Sequence, residues 1–145
     1  MKSTHLHWLA VLCWMALIFA LSHEPADGSQ ARSDVLVNIL QTIGLGGSAD
    51  LLSTVVRKLA HAVAYAVLGV LLVWALAARR RVTAKLVMYA VAITCLYAIS
   101  DELHQTYVPG RSGEVRDVAV DAAGALIGAS AVAYVLHIRR STPER

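Results

Sequence analysis

The chain has 145 residues, the size of one domain, with 57 % hydrophobic residues, 16 % charged residues and a net charge of +3. Its mean hydropathy of +0.58 is more than a soluble fold of this size can cover, which excludes an ordinary water-soluble globule and makes the bilayer the better solvent. The excess positive charge falls largely in two short basic clusters between apolar runs, which read as topology signals, so no nucleic-acid partner is expected.

The first apolar run extends from Leu6 to Leu21 and ends at Ser22-His23-Glu24-Pro25. Ala20-Leu21-Ser22 resembles a signal-peptide cleavage site, yet a remainder that itself spans membranes needs no cleavable signal, so a retained helix over about 6–22 is expected. Gly28, Ser29, Gln30 and Ser33 read as a polar connection. Val35, Leu36, Ile39, Leu40 and Ile43 then recur at helical spacing, which predicts a short amphipathic helix over about 34–43, ended by Gly44, Gly46 and Gly47. That helix is too short to span, and two placements stand open: flat on the membrane surface, or packed as a connector.

A second span is predicted over about 59–78, carrying His61 and Tyr65 and stopped by Arg79-Arg80-Arg81. The third, about 82–100, runs into Asp101-Glu102-Leu103-His104-Gln105. A loop with the turn signal Pro109-Gly110 follows. The fourth span, about 118–138, closes on Arg139-Arg140. Cys13 and Cys95 lie within apolar runs, where cysteine behaves as a small hydrophobe. The expected fold is therefore an all-α membrane bundle of about four transmembrane helices in a single domain, 1–145, with one amphipathic interfacial helix between the first and second spans.

Lys2, the group Arg79 to Arg81 with Lys85, and Arg139, Arg140 and Arg145 all fall on one side of this frame. Lysine and arginine in short loops favour the cytoplasm, so both termini are expected there, in a multi-pass protein of the plasma membrane. The other polar groups gather at the opposite, extracytoplasmic ends: Arg57, Lys58 and His61 on span two, Asp101, Glu102, His104 and Gln105 on span three, Asp117 and Asp121 on span four, and Arg111 between them. Lys58, His61 and Tyr65 share a helix face by spacing, as do Asp101, His104 and Gln105 if their helix continues that far. Asp117, Asp121, Gly124 and Gly128 form one stripe, and its glycines let another helix approach.

Several of these residues have ordinary structural readings. Arg57, Glu114 and Arg116 fit interface anchors, Lys58 with Asp117 or Asp121 fits a buried ion pair, and Tyr65, Tyr89, Tyr97 and Tyr134 fit packing or belt positions. The set His61, Asp101, His104, Arg111 and Asp121 reads together as a functional site, because ionisable groups within a membrane are costly and usually kept for use.

Three stretches resemble the signatures of the VanZ-like family: Arg57-Lys58-Leu59-Ala60-His61 through Tyr65 to Gly69; Ser100-Asp101-Glu102-Leu103-His104-Gln105 through Pro109-Gly110-Arg111; and Asp117-Val118-Ala119-Val120-Asp121 through Gly124. Position 121 is Asp here, where many members carry Asn. The family's founding member is associated with low-level resistance to the glycopeptide teicoplanin. The resemblance thus implies a bacterial inner-membrane protein of the cell envelope, with antibiotic resistance as one role in the family.

Four functions remain open on the residues alone. As an enzyme on a phosphate-bearing or glycosylated envelope lipid, Lys58 and Arg111 would hold the anionic head group. His61 or His104 would act as base or nucleophile, oriented by Asp101 or Asp121, with Tyr65, Glu102, Gln105 and Asp117 as further substrate contacts. The same groups would serve a binder of an envelope lipid or antibiotic. A metal site drawn from His61, Asp101, Glu102 and His104 ranks last, since no close histidine pair lies on one helix, and no metal is assigned. A polar network that only fixes helix register is the fourth. The sequence assigns no cofactor and no oligomeric state.

Overall fold

Hydroxyl side chains cap the starts of two helices of this chain, Ser48 before one and Thr83 before another. The computed structural model describes residues 2–44, 46–78 and 80–141. Among these residues every regular element is helical: α1 (Lys2–Ser22), α2 (Ala26–Thr42), α3 (Ala49–Ala77), α4 (Ala84–Gln105) and α5 (Val115–Ser141). The α1, α3, α4 and α5 helices are long and apolar enough to cross a membrane. Of the basic groups that set the expected orientation, Arg79 and Arg145 and the side chains of Lys2, Arg139 and Arg140 lie outside the described part.

Two boundaries differ from the sequence reading. The helix that carries the second span, α3, starts at Ala49, ahead of the predicted span's start near residue 59, and Ser48 caps it by accepting from the Leu51 amide at 3.4 Å. At 29 residues, α3 is about 44 Å long, well beyond the roughly 30 Å of a hydrocarbon core. The helix is thus longer than one crossing needs, and Arg57 and Lys58 lie within its first three turns. The second helix starts at Ala26, so the supposed polar connection is helical. Its polar groups are satisfied inside the helix: Gln30 donates to Asp34 at 2.9 Å and the Ser33 hydroxyl donates to the Ser29 carbonyl at 3.1 Å. At the other end of the bundle, Thr83 caps α4 by accepting from the Leu86 amide at 3.2 Å. That helix continues through Gln105, which places Asp101, His104 and Gln105 within its last turns.

The α3 and α5 helices form the central pair and pack more extensively than any other two. Glycine makes this possible. A Cβ on Gly124 would strike the Ala62 carbonyl, one on Gly128 the Ala66 carbonyl, and one on Gly69 would lie 2.7 Å from the Ala125 oxygen. The α1 helix is clipped on by two polar side chains: the Trp14 indole donates to the Ala64 carbonyl at 2.9 Å, and the Tyr97 hydroxyl donates to the Met15 carbonyl at 2.6 Å. Tyr65, Leu68, Leu72, Val73, Ala90, Ala98 and Ala129 fill the core. The exterior is apolar too, with Leu12, Met88 and Ile127 left 60 %, 70 % and 68 % exposed, as expected where lipid tails are the neighbours. The α2 helix packs on α3, buries Ser29, Ser33 and Val37, and leaves Val35, Ile39 and Ile43 open.

Candidate functional site

The ends of α1 and α4 and the beginnings of α2, α3 and α5 meet at one end of the bundle. The loop after α4 closes it. Val108 to Arg111 form a tight turn in which the Arg111 amide donates to the Val108 carbonyl at 3.1 Å and Gly110 takes φ +74°, the conformation that a Pro-Gly type II turn requires. The Ala26 amide donates to the Pro109 carbonyl at 3.3 Å and ties this turn to the start of α2. The turn holds Arg111 over the bundle.

Below it lies a polar cavity of about 130 Å³ lined by Lys58, His61, Gln105, Arg111, Asp117 and Asp121, together with Ser29, Arg57 and Glu114. An apolar groove of about 330 Å³ adjoins it, walled by Ile18, Leu21, Leu36, Val56, Ala60 and Ala64. The two share Ser29, Arg57, His61 and Arg111. One wall is thus polar on one side and opens to an apolar slot on the other.

Charge is unevenly spent around the cavity. Lys58 is committed to an ion pair with Asp117, with Glu114 at 4.0 Å. The Arg111 guanidinium has a single described hydrogen bond, donated to the Gln105 side-chain oxygen at 3.3 Å. Burial, then the neighbouring Arg57, pushes its guanidinium below the usual value, though arginine keeps its charge in proteins. A half-buried guanidinium with one neutral partner has several donors left for an anion.

Asp121 is fully buried, and neither of its oxygens has a hydrogen-bond partner. His61 Nδ1 stands 3.8 Å from Asp121 Oδ2, ion-pair range but too long for a hydrogen bond. The close approach of α5 to α3 at Gly124 brings these two side chains face to face.

The family model described as VanZ/LLP1 matches residues 7–137. The chain belongs to this family. No curated protein and no solved structure matches it. Every residue of the cavity and the groove lies inside the VanZ/LLP1 match.

The remaining candidates of this VanZ/LLP1 chain sit elsewhere. Asp101 is 2 % exposed and accepts at Oδ2 from the Ser22 hydroxyl at 2.8 Å, the Tyr65 hydroxyl at 3.1 Å and the Gln105 amide at 3.4 Å. It ties α1, α3 and α4 together beneath the cavity. Tyr65 is buried and lines the groove, not the polar cavity. Glu102 accepts from the Glu114 amide at 2.9 Å and so fixes the entry to α5. His104 lies apart from the others: it lines neither cavity and packs on Phe19, ring centroids 4.5 Å apart, with its Nε2 3.1 Å from His23 Nδ1. Asp101 and Gln105 turn into the bundle, and the helical rotation carries His104 around to α1.

Sequence reasoning gave no site role to Ser22 or Ser29 and missed the lining role of Arg57. Ser22 meets Asp101 across 79 positions, which no local spacing reveals. Ser29 was hidden in a stretch read as loop. A metal-capable set exists, but not the one first drawn: His61, Glu102 and Asp121 bring ligand atoms within 4.8 Å of one another, whereas Asp101 and His104 are engaged with other partners.

Proposed function

We propose that this chain binds a phosphate-bearing lipid of the cell envelope, its head group in the polar cavity and an acyl or prenyl chain in the groove. The observation that carries the reading is the shared wall: Arg57 and Arg111 border both spaces, so one amphiphile would satisfy the cations with its head while its tail covers the apolar slot. In this reading the protein sits in the plasma membrane with both termini cytoplasmic. The cavity then faces the extracytoplasmic surface, and the open apolar side of α2 lies in the interface. Altered handling of such a lipid is the route by which the chain would bear on glycopeptide resistance.

An enzymatic second reading is favoured by one feature, the imidazole of His61 in the cavity wall beside Asp121. A phosphate ester held by Arg111 would lie next to a base. His104 drops out of this scheme, and Asp101 becomes a structural node.

The test is binding by purified protein in non-ionic detergent, followed by native mass spectrometry with dioleoyl phosphatidic acid and dioleoylglycerol as paired probes. Saturable binding of the phosphatidate alone, weakened about tenfold or more by Arg111→Ala, is expected from the loss of a charge-assisted donor pair. Equal retention of both lipids would refute the reading. Turnover of a phosphate monoester lipid by wild type, lost in His61→Ala with binding kept, would establish the enzymatic version.

A further inference from the structure

Beneath the polar cavity three side chains from three helices converge: His61 of α3, Glu102 of α4 and Asp121 of α5. Each offers one ligand atom, and these atoms all lie within 4.8 Å of one another. Asp121 is 0 % exposed and Glu102 is 5 % exposed. Both Asp121 oxygens and Glu102 Oε1 lack a hydrogen-bond partner. Two carboxylates buried at this depth with three unpartnered oxygens are expensive unless a cation meets them. The lysine and arginine of the cavity described above do not serve, and His61 stands in ion-pair range of Asp121 Oδ2 at 3.8 Å without bonding it. Lys58 is paired with Asp117 and Arg111 bonds Gln105.

We propose that His61, Glu102 and Asp121 form a binding site for one divalent first-row metal ion, Mn2+ or Zn2+. An imidazole nitrogen with two carboxylate oxygens is a donor set suited to these ions. At metal–ligand distances of about 2.1 Å, neighbouring ligand atoms stand roughly 3 to 3.5 Å apart. The 3.8 Å between His61 Nδ1 and Asp121 Oδ2 therefore closes with small side-chain shifts. Orientation is already provided. Glu102 Oε2 accepts from the Glu114 amide at 2.9 Å, which leaves Oε1 as the ligand atom. The glycine contacts of α5 press Asp121 against α3. Because His61 and Asp121 also line the cavity, the open coordination positions face it, ready for water or an anionic oxygen.

The site is independent of the lipid reading and is tested without lipid. Full-length protein purified in detergent is stripped with chelator, then titrated with MnCl2 and, separately, ZnCl2 by equilibrium dialysis and elemental analysis. The expected result is saturation at one equivalent, a raised thermal midpoint, and at least a tenfold loss of affinity in Asp121→Asn and in Glu102→Gln, with Asp34→Asn unchanged. Should those variants fail to fold, pulsed electron paramagnetic resonance of the Mn2+-loaded wild type decides, because one bound imidazole gives a 14N modulation. No saturable binding, absent nitrogen modulation, or folded variants that bind like wild type would each overturn the proposal. Metal binding with no phosphatidate binding would uphold this site and remove the lipid reading; the converse would do the opposite.

Discussion

Three donors, from Ser22, Tyr65 and Gln105, aim at a single oxygen of Asp101, so this residue joins three helices at a place where water is scarce. Removing the acceptor strands buried hydroxyls, at a cost of about 1–3 kcal/mol each. Asp101→Leu should therefore lower the thermal midpoint in detergent much more than Tyr65→Phe, which removes one donor and leaves two. A midpoint equal to wild type in Asp101→Leu would contradict that role. His104→Ala should leave phosphatidate binding within about twofold of wild type, a change under roughly 0.5 kcal/mol, since the ring packs tilted on Phe19 outside both cavities. At this scale the sequence was informative about residue type and chain position. The cost of intramembrane charge singled out His61, Asp101, His104, Arg111 and Asp121 as a set, and helical spacing put Lys58 and His61 on one face. It did not reveal which way a side chain turns within the last helical turn, which is why His104 was grouped with Asp101. The same limit applied to Arg57, which looks like any interface anchor until α2 is seen to pack beside it.

Elements carry the site through two glycine devices. In the α3–α5 pair, Gly124 lies against the Ala62 carbonyl, so Gly124→Leu must push the helices apart at the level of His61 and Asp121. Overpacking of this kind costs about 1–3 kcal/mol or more, and the variant should show a lowered thermal midpoint together with weakened phosphatidate binding. In the loop, Gly110 takes φ +74° and a Cβ there would meet the Ala26 Cβ at 3.0 Å. Gly110→Ala should displace the Arg111 turn and cost binding several-fold, for a global penalty of about 1 kcal/mol; unchanged affinity would show that Arg111 needs no such presentation. The Pro-Gly turn and the glycine stripe were both legible in the sequence, because each is a local pattern with a fixed geometric meaning. The starts of α2 and α3 were not. Serine pairs that bond their own helix look like loop, and a charged pair at positions 57 and 58 looks like a helix end when the helix is longer than the membrane is thick.

Across the whole molecule, four apolar helices, the first two joined through α2 and the rest by short connections, put the start of α1 and the α3–α4 connection at one end. The α4–α5 loop and the first turns of α3 lie at the other. In the proposed orientation, which rests on the basic residues of the sequence, the first of these ends is the cytoplasmic one. With Cys13 and Cys95 replaced, a single cysteine at position 28 or 112 should react with an impermeant maleimide on intact cells, and one at position 80 should not; the reverse pattern would invert the proposed orientation. The account's central claim is that one amphiphile occupies cavity and groove together. It is tested most directly by placing photoreactive p-benzoylphenylalanine at position 36, on the groove wall, or at the exposed position 126 of α5. The protein is then irradiated in nanodiscs of phosphatidylcholine with a minority of phosphatidic acid. The account predicts phosphatidate adducts at position 36 enriched well above the bilayer's composition, no enrichment at 126, and loss of the enrichment at 36 in Arg111→Ala. Adducts at position 36 that simply mirror the bilayer, with or without Arg111, would contradict it.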